Sequence, residues 1–282
     1  MELLLLLALP LLAFSFGGGH DDDPADAGPD EPEQDHVNEI NGGPGDDSLS
    51  GTAAADHIVS GEGNDEVSGF AGNDVIDTGA GDDVAYGGAG NDVIQLGAGD
   101  DLTSDHEYFQ NGEALTFVPE ASAGDDLIRG GAGEDTLQDS NGSDTLYGDT
   151  GNDFLFALDH SGNNDAPDRV FGGFGADEIF ADRGDVVSGN QGDDSFHVWV
   201  DQTGTEPVTI TDYDGQHDQL ELSVNSASFP NAVASDMSSH TDAVSGDVTI
   251  SVQGQAVIVL NNPVAFDLAQ ISLVQDTVTP GF

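Results

Sequence analysis

The sequence predicts an all-β fold: a parallel β-solenoid with a C-terminal β-rich capping domain and a disordered acidic N-terminal segment. Three observations predict it. A nine-residue period runs through the middle of the chain with Gly and Asp held in register. An aliphatic residue recurs two places after most of those aspartates. Past His197 the register stops, and β-branched runs replace it.

From Gly42 to Ser104 the period is gapless, in seven units starting at Gly42, Gly51, Ser60, Gly69, Thr78, Gly87 and Leu96. The sixth position is always Asp: Asp47, Asp56, Asp65, Asp74, Asp83, Asp92 and Asp101. The fourth is Gly in six of the seven, with Ala54 the exception, and the eighth is aliphatic at Leu49, Ile58, Val67, Ile76 and Ile94. After an interruption over 105–120, four more units supply Asp126, Asp135, Asp144 and Asp153. A looser block keeps the Asp-x-apolar spacing at Asp168, Asp177, Asp185 and Asp194, and its unit Ala181–Ser188 is one residue short.

Residue type dictates the local structure. Glycines at positions one, two and four permit the positive φ angles of a tight turn. Three residues around the aliphatic position make a strand only about 10 Å long, at ~3.3 Å per residue. Such strands become stable by stacking, coil upon coil, around a thin aliphatic column.

Charge then narrows the function. Asp and Glu number 55 against three cations, Arg129, Arg169 and Arg183, for a formal charge of −52. Nothing here could neutralise phosphates, so nucleic acid is excluded as a partner, as is adhesion to an anionic membrane through a basic patch. The absence of cysteine excludes disulfides, thiolate zinc sites and a cysteine nucleophile. With 37% hydrophobic residues, such a polyanion stays disordered unless counter-charge is built in. Stacked coils would place carboxylates roughly 5 Å apart, repelling by roughly 3 kcal/mol per pair at an effective dielectric of ~20. Repeated along the stack, this exceeds a typical stability of about 5–15 kcal/mol. The fold therefore needs a cation between its turns. Carboxylates and turn carbonyls offer only oxygen, which favours Ca²⁺ over Mg²⁺. Protons compete for those oxygens, so acid is expected to mimic chelation. A merely acidic surface would spread its acids over every exposed position, whereas these concentrate in the glycine turns.

Units such as Gly87-Gly-Ala-Gly-Asn-Asp92-Val-Ile-Gln95 and Gly42-Gly-Pro-Gly-Asp-Asp47-Ser-Leu-Ser50 resemble the haemolysin-type calcium-binding repeat of RTX proteins. The resemblance covers roughly 42–197 and implies a calcium-bound parallel β-roll in which each unit is half a coil. Each Ca²⁺ would be shared by units eighteen residues apart. The implied pairs are Asp47/Asp65, Asp65/Asp83, Asp83/Asp101, Asp56/Asp74, Asp74/Asp92, Asp126/Asp144 and Asp135/Asp153. Asp177 and Asp194 complete the set of candidate metal ligands. Thr52, Ala53 and Ala54 replace the glycines around Asp56, so that turn is expected to bind weakly. Ala85 and Thr103 are expected to weaken the aliphatic column, and the turns at Asp168 and Asp185 lack the double glycine.

The ends differ in kind. Residues 1–16 hold an apolar run, Leu3–Phe16, with the length of a signal-peptide h-region but no positive charge before it. A signal, an uncleaved membrane-associated segment and a start-site artefact all stay open. Residues 17–41 read as an acidic linker. Block one of the roll is 42–104, the insertion loop 105–120 and block two 121–197. In 198–282, strands are expected at Val208–Tyr213, Gln219–Val224, Val248–Val252, Val257–Leu260 and Ile271–Val274, with a turn at Gln253-Gly254-Gln255. The stretch Ile210–Asp214 with Asp218–Ser223 is similar to the segment that closes RTX rolls. The resemblance implies a type I secretion signal in this region, and hence export machinery as a partner.

A catalytic centre is not legible. His106-Glu107-Tyr-Phe-Gln110 begins like a zinc-protease motif but has Gln where the second His is required. No Gly-x-Ser-x-Gly elbow occurs. The expectation is a secreted, non-enzymatic calcium-binding protein folded by extracellular Ca²⁺. The alternatives are a cell-surface module that binds polysaccharide or another extracellular ligand, and an accessory module of a secreted hydrolase or epimerase.

Overall fold

The computed structural model describes residues 37–103, 124–139, 142–158, 166–200 and 206–276. The N-terminal apolar run, the 105–120 loop with its His106-Glu107 pair, and 277–282 lie outside these residues.

Block one folds as β1 Asn38–Pro44, β2 Ser48–Ser50, β3 Asp56–Glu62, β4 Glu66–Ala71, β5 Val75–Ala80, β6 Val84–Ala89, β7 Val93–Ala98 and β8 Leu102–Thr103. After the interruption come β9 Leu127–Ala132, β10 Thr136–Asp139, β11 Thr145–Thr150 and β12 Phe154–Ala157. The looser block gives β13 Arg169–Phe174, β14 Glu178–Ala181, β15 Val186–Gln191 and β16 Ser195–Val200. The C-terminal part gives β17 Val208–Ile210, β18 Gln219–Asn225, β19 Met237–Thr241, β20 Val248–Val252, β21 Gln255–Leu260 and β22 Ser272–Asp276.

Odd strands from β1 to β17 stack in parallel as one sheet, and even strands from β2 to β18 as the other. This is a β-roll. The register is eighteen residues where no insertion intervenes, as in Ile58 against Ile76 and Val67 against Ala85. Across the interruption, β7 still pairs with β9, Ile94 opposite Ile128. The short unit shifts the register by one residue and no more, Val170 lying opposite Val187.

Between the sheets runs the column the repeat predicts. Ile58, Val67, Ile76, Ile94, Ile128, Leu137, Leu146, Leu155, Val170, Ile179, Val187 and Phe196 are all buried. Ala85 and Thr103 are buried in the same column, so the small residues narrow it without opening it. Most strands are longer than the three residues expected. β4, β5 and β6 each span six, because the glycines after the aliphatic position stay extended enough to keep pairing, as Gly61 does with Gly79.

One boundary also differs from the expectation. The first strand starts at Asn38, ahead of the first repeat unit, with Ile40 opposite Ile58. The C-terminal part caps the roll by continuing it. β17 and β18 extend both sheets, and β21 and β22 add one further parallel strand to each. The odd sheet then closes with the antiparallel strands β20 and β19. Gln253 and Gly254, both at positive φ, make the two-residue turn between β20 and β21. The polar strand Met237–Thr241 ends the sheet, which discourages further pairing at that edge.

Candidate metal centre

The position-six aspartates form two ladders, one along each set of turns. In the first, the backbone N–H of each Asp donates to Oδ1 of the Asp one coil later. It runs Asp47, Asp65, Asp83, Asp101, Asp135, Asp153, Asp177, Asp194, at 2.8–3.0 Å per step. The second runs Asp56, Asp74, Asp92, Asp126, Asp144, Asp168, Asp185, at 2.7–2.9 Å. Every candidate ligand from the sequence thus lies in a ladder, and all but Asp47 are buried. The expected pairs eighteen residues apart are neighbours. Asp92/Asp126 and Asp101/Asp135 join across the interruption at a spacing of 34, which the repeat spacing alone did not provide.

The second carboxylate oxygen distinguishes the turns. Oδ2 of Asp65, Asp74, Asp83, Asp92, Asp101, Asp135, Asp144, Asp153 and Asp177 is buried without a hydrogen-bond partner. A buried carboxylate oxygen left in that state is strongly unfavourable unless a cation meets it. The surroundings fit one. A Cβ built on Gly42 would lie 2.7 Å from Asp47 Oδ2 and 2.5 Å from the carbonyl oxygen of Ser60. Gly69 and Gly148 show the same convergence, of Asp74 Oδ2 with the Gly87 carbonyl and of Asp153 Oδ2 with the Gly172 carbonyl. Carboxylate and carbonyl oxygens from successive coils therefore face one small space, a donor set suited to a hard cation such as Ca²⁺. Bound there, calcium would supply the positive charge that the stacked carboxylates need.

Other turns are closed by the protein itself. Asp56 Oδ2 accepts the Thr52 N–H at 2.5 Å and the Thr52 hydroxyl at 3.1 Å. This gives a structural reason for weak binding at the glycine-poor turn. In the short unit, Asp185 Oδ2 accepts the Asp182 N–H at 2.8 Å, and Arg183, in the same turn, is buried. Asp168 and Asp185 nonetheless keep their places in the ladder, double glycine or not. Sequence reasoning missed Asp218, which ends the first ladder by accepting the Asp194 N–H at 3.2 Å and the Asp214 N–H at 2.7 Å. Its signal was present, since Asp218-Gln-Leu220 repeats the Asp-x-apolar spacing.

Burial of the ladders sets their titration. Burial raises these carboxyl groups, the accepted N–H partly offsets it, and neighbouring carboxylates raise them again. Asp92 and Asp135 reach about 7, and Asp101, Asp153, Asp177 and Asp194 about 6, against an ordinary value of 3.8. Asp74 and Asp83 shift the same way.

A match to the RTX calcium-binding nonapeptide repeat occurs in four copies, over residues 35–67, 68–102, 120–155 and 163–196. The chain belongs to the RTX calcium-binding repeat proteins. No curated protein matches the RTX chain closely. Among solved structures it is similar to the extracellular lipase LipA from Serratia marcescens, at 17% identity and a TM-score of 0.26. That likeness covers 79% of this chain, which spans 39% of the lipase chain.

The raised carboxyls add a second effect of acid to the competition between protons and calcium. Between about pH 4 and pH 7 the metal-free RTX roll binds more protons than the unfolded chain, whose aspartates titrate near 3.8. The stability this contributes is present in acid and lost as pH rises through the folded values. Acid displaces calcium, yet it also relieves the repulsion that calcium relieves. In chelator, the β signal is expected to be stronger near pH 5 than near pH 7.5. A chelated protein more stable at the higher pH would contradict the assignment.

Proposed function

We propose that this RTX protein is a secreted, non-enzymatic calcium-binding roll whose folding is driven by extracellular Ca²⁺, held by the two aspartate ladders. The observation that carries the reading is the run of nine buried Oδ2 atoms without partners among the described residues. Where free calcium is scarce, repulsion keeps the chain unfolded and fit for export. Outside the cell, calcium supplies the missing charge, and its binding free energy becomes folding free energy. Circular dichroism of the whole chain tests this. In chelator near neutral pH the β signal is expected to be largely absent, returning cooperatively near the ~10⁻⁴–10⁻³ M range of extracellular modules. Magnesium at equal concentration is expected to be much less effective, because its rigid octahedron fits these turns poorly. A folded spectrum unchanged by excess chelator would overturn the proposal.

The ladders also rank their members. Asp83 Oδ1 accepts the Asp65 N–H while its Oδ2 has no partner, whereas Asp56 Oδ2 is held by Thr52. Asp83→Ala is therefore expected to raise the calcium midpoint several-fold more than Asp56→Ala. Equal shifts would point to diffuse counter-ion binding.

A second reading, adhesion to polysaccharide, draws on an open groove of about 420 Å³ on the outer face of the odd sheet. There Tyr147 and Phe171 stack at 4.8 Å, and Arg129 lies over Tyr147 while pairing with Asp149 at 2.8 Å. Aromatic rings beside fixed polar groups suit sugars. A glycan array probed in calcium separates the readings: binding abolished by Phe171→Ala supports adhesion, and its absence leaves the roll as the function.

A further inference from the structure

One turn carries a carboxylate that the repeat does not call for. Position one of the unit holding Asp144 is Asp139, where the corresponding residues in the turns at Asp74 and Asp92 are Gly69 and Gly87. At those glycines an added Cβ would run into the carboxylate of Asp74 or Asp92. At Asp139, the last residue of β10, the side chain is itself a carboxylate. Its oxygen lies within 4.8 Å of one from Asp126 and one from Asp144. All three side chains are buried, at 4%, 6% and 1% exposure. A second, independent feature points to a ligand: Asp144 Oδ2 is buried without a hydrogen-bond partner, while its Oδ1 is engaged by the Asp126 N–H at 2.8 Å.

We propose that Asp139, Asp126 and Asp144 form the tightest divalent-cation site of the roll, the first to fill with calcium. The proposal rests on the calcium reading above and adds to it a ligand outside the repeat. A turn with two ladder carboxylates is formally neutralised by one Ca²⁺, whereas this one keeps a negative charge after the ion binds. Affinity in all-oxygen calcium sites rises with the number of charged ligands. The position gives the excess a use. Asp126 follows the interruption, and 34 residues rather than eighteen separate it from Asp92 in the coil before. Closing the longer loop costs more chain entropy, so an ion bound early at this coil offsets the costliest step in stacking block two on block one.

Calorimetric titration of the chelator-stripped full chain with calcium chloride tests the proposal. The expected isotherm shows one ion bound about tenfold or more tightly than the rest. Asp139→Gly, which restores the glycine of the repeat, and Asp139→Asn, which keeps shape and removes charge, are both expected to lose that ion alone. The weaker ions and the calcium-bound β signal are expected to persist. Retention of a tight first ion by Asp139→Asn would overturn the proposal and leave the calcium reading standing. A wild type that binds no calcium would instead overturn the calcium reading, and this proposal with it. Should Asp139→Gly fail to fold, Asp139→Asn decides alone.

Discussion

Ending the chain at His197 is expected to abolish folding at the calcium concentration that folds the whole protein. Residues 206–276 are the continuation of both sheets. Leu220 on β18 lies against Phe196 on β16, Leu222 and Val224 lie against Val198 and Val200, which the cut also removes, and Ile210 on β17 lies against Val187 on β15. Val208, Ile258 and Leu260 are buried beside them. Six such side chains, Val208, Ile210, Leu222, Val224, Ile258 and Leu260, contribute about 1.5–3 kcal/mol each, which together matches a typical total stability of ~5–15 kcal/mol. The cut also leaves an open, apolar edge on each sheet, the usual template for aggregation. Circular dichroism with light scattering checks it: loss of the β signal or calcium-induced aggregates are expected. A truncated roll that folds at the original midpoint and stays monomeric would show that the C-terminal strands are not needed to close the solenoid.

Gly99→Ala is a point substitution with a large expected cost. Gly99 sits at φ +143°, and a Cβ there would lie 2.5 Å from the backbone carbon of Gly81 one coil away and 3.1 Å from the Asp82 nitrogen. Neither neighbour is the free end of a side chain, so the coils themselves must separate. Strain at the positive φ costs roughly 1–3 kcal/mol and overpacking a similar amount. The sum, about 2–6 kcal/mol, is a large share of a domain's stability. The calcium midpoint is expected to rise, by a factor that falls as more ions share the loss, since more bound ion must offset it. Asn190→Gly is the control. Asn190 already occupies a positive φ of 67°, and removing its side chain is expected to be close to neutral. Equal effects from the two would mean that coil contact is not what fixes the glycine.

These two positions show what was legible in the sequence and what was not. Repeat spacing is a local, covalent property. It therefore gave the buried column from Ile58 to Phe196 directly, while the eighteen-residue register and the paired aspartates came from the resemblance to the RTX repeat. Features set by contacts between distant segments were not legible. The ladder step from Asp92 to Asp126 depends on how the interruption is bridged. The Thr52 N–H reaching Asp56 Oδ2 depends on the exact turn conformation. The C-terminal strands read as a cap, but their β-branched pattern is the same whether they form a new layer or lengthen an old one. Asp139 was hidden by its own unit, since at position one an aspartate reads as a lost glycine until Asp126 and Asp144 are seen beside it. Asn38–Asn41 read as linker because half of strand β1 precedes the first glycine of the repeat.

The account stands most directly on where calcium binds. Long-wavelength anomalous diffraction from crystals of the full chain grown in calcium measures this atom by atom. Ordered calcium peaks are expected in the turns between successive aspartates of the first ladder, from Asp65 to Asp177, and beside Asp74, Asp92 and Asp144 in the second. At Asp56 and Asp185, whose Oδ2 atoms are already held by backbone N–H groups, no ion is expected. Turns without ordered peaks, or calcium scattered over surface acids with no preference for the ladders, would contradict it.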